Sequence, residues 1–107
     1  MTVRSTMPET DWKALRTLKD TLLQRASALA LARVEGIIAK REAHPHDAYI
    51  RLWRLLESED TKIARMFDDL KRSNALSKLL EMGRNDLLTP EEISTFSQET
   101  QEKVRRD

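Results

Sequence analysis

The chain contains no cysteine. Thiolate catalysis, disulfides and cysteine zinc sites are therefore excluded. Glycine occurs twice and proline three times in 107 residues. Two glycines cannot build a phosphate-cradling loop, and no serine stands in a Gly-x-Ser-x-Gly turn. Neither sign of charge dominates, since 19 Lys and Arg face 18 Asp and Glu for a net charge of +1. That balance gives no general attraction to nucleic acid or anionic lipid. No apolar run approaches 18 residues and no signal-peptide core is visible, so a soluble cytoplasmic protein with no membrane partner is expected. Alternation with period two is also missing, which argues against strands.

What is present is a helix-former composition, 39% hydrophobic and 35% charged. The clearest organised stretch runs from Pro45 to Arg72. At about 100° per residue, Leu52, Leu56, Ile63, Phe67 and Leu70 fall within about 60° of one another, flanked by Tyr49 and Met66. Arg51, Arg54, Glu57, Lys62, Arg65, Asp68 and Asp69 take the other side. Pro45 suits the first helical position, which makes His44 the N-cap, and Asp47 complements the helix dipole.

A second long helix is read upstream, over 11–43, from Trp12, Leu15, Leu18, Leu22, Ala26, Leu29 and Ile37. The junction at 43–46 is short, so the two helices are expected to form an antiparallel hairpin. With the turn near 44–45, Gly36 falls opposite Trp53, Ala26 opposite Ile63 and Leu22 opposite Phe67. Small residues then meet large ones, and Gly36→Leu is expected to overpack. Residues 1–10 read as a flexible arm, with Thr6 and Glu9 at capping-box spacing around Pro8.

Beyond Arg72 the phase breaks. A short third helix is expected over 75–82, with Gly83 as its stop. Thr89, Pro90 and Glu92 spell a capping box, with Leu88 and Ile93 at the staple positions, so a last helix is expected over 90–104. Its Glu99–Lys103 and Glu102–Arg106 pairs suit a solvated helix. The fold class is all-α, a long antiparallel hairpin plus two shorter C-terminal helices forming a single bundle-like domain over 11–107.

No constellation carries chemistry. His44, His46 and Asp47 are metal-ligand types, but their spacing is not that of a helical zinc motif and no further ligand is evident. Glu57, Glu59, Asp60, Asp68 and Asp69 interleave with basic residues and read as a solvated face. The expectation is no enzyme, no catalytic residue, no cofactor and no metal. Basic residues Arg51, Arg54, Lys62, Arg65, Lys71, Arg72, Lys78 and Arg84 leave a nucleic-acid-associated regulator as the alternative. Segment 75–96 has a helix–turn–helix outline, yet Glu91 and Glu92 would repel a phosphate backbone.

Two long helices leave little mass to cover their apolar faces. Met7, Trp12, Leu23, Leu31, Val34, Ile38, Leu55 and Leu76 sit off the main stripes or beyond their reach. Exposed apolar surface of that extent marks a partner. The seven from Trp12 to Leu76 form the candidate interaction surface. The expected function is a protein–protein interaction or adaptor module, acting as a homodimer of four-helix-bundle type.

Overall fold

The computed structural model describes residues 7–106. The Thr6 part of the expected capping box lies outside them. Five helices follow in order: α1 (Glu9–Ala39), α2 (Pro45–Phe67), α3 (Arg72–Arg84), α4 (Pro90–Ile93) and α5 (Gln98–Arg106). Among the described residues there is no strand. The all-α class and the long α1–α2 pair stand as read from the sequence. The shape is elongated, 58 × 27 × 23 Å, because α1 alone spans about 46 Å at 1.5 Å per residue.

The hairpin closes where the chemistry placed it. Lys40 N–H donates to the Ile37 carbonyl and Arg41 N–H to that of Ile38, ending α1 at Ala39 rather than at 43. His44 is the N-cap of α2 and Pro45 its first residue, as expected, although the His44 side chain makes no capping bond. Gly36 does not pack as expected. A Cβ built there would meet nothing within 4 Å, and Trp53 is 56% exposed. Both lie at the end of the hairpin that carries no third layer, so overpacking by Gly36→Leu has no physical basis.

Helix α2 stops at Phe67, not Arg72. Asp68 is extended and Asp69 takes a positive φ of 54°. Asn74 then clasps the bend: its amide donates to the Asp69 carbonyl and its carbonyl accepts from Lys71 N–H. The third helix is correspondingly longer than 75–82. Gly83 lies inside it, and Asp86, at φ 56°, is the left-handed residue of the following turn. The glycine serves packing instead, since a Cβ there would stand 3.1 Å from the Val104 Cγ1 of α5.

The Thr89–Glu92 capping box is formed in both directions. The helix it opens lasts one turn and does not continue to 104. Ser94 Oγ and Thr95 Oγ1 donate to the carbonyls of Glu91 and Glu92, the local competition by which hydroxyl side chains disfavour a helix interior. The chain restarts at α5, where the Glu99–Lys103 pair is present at 3.5 Å.

The core lies at one end. Met7, Leu15, Leu22, Ala26, Met66, Phe67, Ala75, Leu79, Met82, Leu87, Phe96 and Val104 form one buried cluster. Met7 is fully covered, and its carbonyl accepts from Arg72 Nε at 2.7 Å. The part of the expected arm that the structure describes is thus anchored, and the helix begins at Glu9. Between Leu31 and Ser58 no residue is buried. The molecule has a base with three packed layers and a tip made of two bare helices.

Candidate interaction surface at the hairpin tip

Polar ties hold the base in place. Asp11, 1% exposed, accepts from Ser97 N–H, Ser97 Oγ and Thr100 Oγ1, each at 2.7 Å. These bonds set the carboxylate at the start of α5, where negative charge suits the helix dipole. Arg25 forks onto both Glu92 oxygens, at 2.7 and 3.0 Å, and also donates to the Leu87 carbonyl at 2.6 Å. The Arg25 hydrogen bonds hold the Glu92 carboxyl below the usual carboxylate range, with burial opposing and Thr89 adding to the effect. Glu92 in turn raises the Arg25 guanidinium.

A third tie marks the border between base and tip. Arg33 Nη1 reaches both oxygens of Glu59 at 2.9 Å, and Lys62 Nζ lies 3.0 Å from the same carboxylate. Glu59 is 7% exposed, so it is not part of a solvated acidic face. Two cations offset the cost of burying it. The cleft beside it, which Leu29 lines, holds about 20 Å³, room for little beyond one water.

Above that border several apolar side chains are exposed, while Val34, Ile37, Leu52 and Leu55 are half-buried. Leu31, Val34 and Ile38 follow one another at helical spacing along α1, with Leu31 62% exposed and Ile38 40%. On α2 the residues His46, Tyr49, Trp53, Leu56, Asp60, Ile63 and Phe67 repeat at intervals of three and four, the seam of a heptad. Phe67 and Ile63 belong to the base cluster. The five positions from His46 to Asp60 are all exposed. Ile38 and Tyr49 line a single concavity of about 200 Å³ with Ile37, Arg41, Pro45, Ala48 and Leu52. The α1 stripe and the α2 seam therefore share one side of the hairpin.

The structure divides the expected surface residues in two. Leu31, Val34, Ile38 and Leu55 lie in the tip, where Leu31 and Ile38 are exposed and Val34 and Leu55 half-buried. Trp12, Leu23 and Leu76 pack against the base core. Leu56 and Tyr49, expected on and beside the apolar stripe of α2, and Trp53, expected opposite Gly36, are surface residues. The signal that finds them is the length of the seam: seven heptad positions outrun the short elements available to cover them.

His44, His46 and Asp47 sit at the start of α2, and His46 stacks on Tyr49 with ring centroids 6.1 Å apart. Among the described residues no group of three His, Asp or Glu is placed to hold a metal ion, and no helix is long and apolar enough to cross a membrane. No protein-family profile, curated protein or solved structure matches this chain.

Proposed function

We propose that the protein is a small interaction module of the cytoplasm that works as a homodimer and presents its hairpin tip as the binding face. The observation that carries this reading is the uncovered seam of the tip. Tyr49 and Trp53 are each more than half exposed beside Leu31 and Leu56. Isolated apolar side chains on a surface need no explanation, but a contiguous aromatic and aliphatic face does. Tryptophan and tyrosine are also the side chains that anchor interfaces.

A nucleic-acid regulator draws less support. Arg51, Lys62, Arg65, Lys71, Arg72 and Arg84 each stand beside a carboxylate. Cations already paired in this way make a poor track for phosphates.

Light scattering after size exclusion tests the proposal. The wild-type chain is expected to show dimer mass in the micromolar range, and Trp53→Glu monomer mass with unchanged helical circular dichroism. A wild-type monomer at every concentration overturns it, as does a Trp53→Glu chain that remains dimeric.

A further inference from the structure

From the free span of the α2 seam we infer that the occupant of the tip face is a second copy running antiparallel, with its two-fold axis near Trp53. This rests on the self-association proposed above and adds its geometry. The apolar positions of that seam, Tyr49, Trp53 and Leu56, have the spacing at which one helix packs against another. The exposed positions run from His46 to Asp60, a length of about 21 Å. Trp53 lies at the midpoint of that span. A two-fold axis there lays the free seam of one copy over that of the other and leaves no part uncovered.

Charge selects the direction. Asp60 ends the free seam on the side toward the base, while His46 and Tyr49 begin it at the turn. Parallel copies in register bring Asp60 against its own equivalent, and like charges facing one another in an interface are unfavourable. Antiparallel copies bring Asp60 toward the imidazole and phenol of the other chain, both of which can donate a hydrogen bond. Over 31–58 the hairpin has five Lys and Arg and four Asp and Glu. Such a face does not repel its own copy.

The area suffices. At roughly 200 Å² for a large side chain, the exposed fractions of Leu31, Ile38, Tyr49, Trp53 and Leu56 leave about 500 Å² per copy. Two copies together reach about 1,000 Å² before flanking residues are added, the lower bound for a specific interface. The same side of each hairpin would be used, as an isologous dimer requires.

The absence of cysteine makes a direct test simple. Glu42→Cys places one spin label on the turn at the hairpin's end, outside the seam. In an antiparallel dimer the two labels stand at least about 24 Å apart, from the eight helical rises between Pro45 and Trp53 on each side of the axis. In any parallel arrangement the turns lie side by side, about 10–15 Å apart. Mass by light scattering on the labelled chain is read alongside. A dimer with the long distance supports the inference. A dimer with the short one overturns the antiparallel arrangement and leaves self-association standing. A monomer overturns both.

Discussion

Glu92 does two jobs through one carboxylate. It closes the capping box with Thr89 and receives the Arg25 fork from α1. The sequence announced the first role and was silent on the second, because Arg25 lies 67 positions away and looked like any solvated basic residue of a helix. The Asp11 contacts were hidden for the same reason: an acid at the start of a helix has a sufficient local explanation, and nothing nearby in the chain points to Ser97. The lowered Glu92 carboxyl has a measurable consequence. An unfolded chain takes up that proton near about pH 4.3, and the folded one only at lower pH. The stabilisation is therefore complete above that range and is lost as pH falls through the folded value. Glu92→Gln is expected to cost about 1–3 kcal/mol near neutral pH. Urea titrations of both chains should show that difference shrinking in acid; a difference independent of pH would refute the coupling.

At the scale of the element, local chemistry was legible and tertiary demand was not. The turn at His44-Pro45 and the cap at Thr89-Pro90 are set by neighbouring residues, and both form as read. The stops at Phe67 and Ile93 also bring Leu70 and Phe96 onto the base, where both contribute to the core, so the Ser94 and Thr95 hydroxyl bonds act together with a tertiary demand. Periodicity alone cannot report that need. The two glycines show the same division. Gly36 is exposed on an uncovered helix, so Gly36→Ala is expected to stabilise the fold by about 1 kcal/mol through helix propensity. Gly83 faces Val104, so Gly83→Leu is expected to push α5 away and cost about 1–3 kcal/mol or more. Thermal melts of the two variants should move in opposite directions, and a stabilised Gly83→Leu chain would mean α5 is not held against α3.

Across the whole molecule the base and the tip differ in what holds them. Among the described residues every buried one lies within 7–30 or 59–104, so the tip is supported by two helices touching along one line. Its backbone amides are expected to open more readily than those of the base. Hydrogen exchange should show residues 31–58 exchanging fastest among the helical amides in dilute solution. Their exchange should slow as concentration rises and copies cover the seam. Tip exchange that is slow and independent of concentration would show that α1 and α2 need no cover. The sequence disclosed that surplus apolar surface existed. It did not disclose the location, because which half of a hairpin the three shorter helices will cover depends on bends at 68–71 and 94–97 that the apolar pattern does not encode.

The bonds around Asp11 also bear on the order in which the chain is made. Its three donors come 86 to 89 positions later. In a chain still lacking Ser97 and Thr100, burying this carboxylate would leave a charge without partners, which is costly. Closure of the base is therefore expected to follow the arrival of α5 and not to precede it.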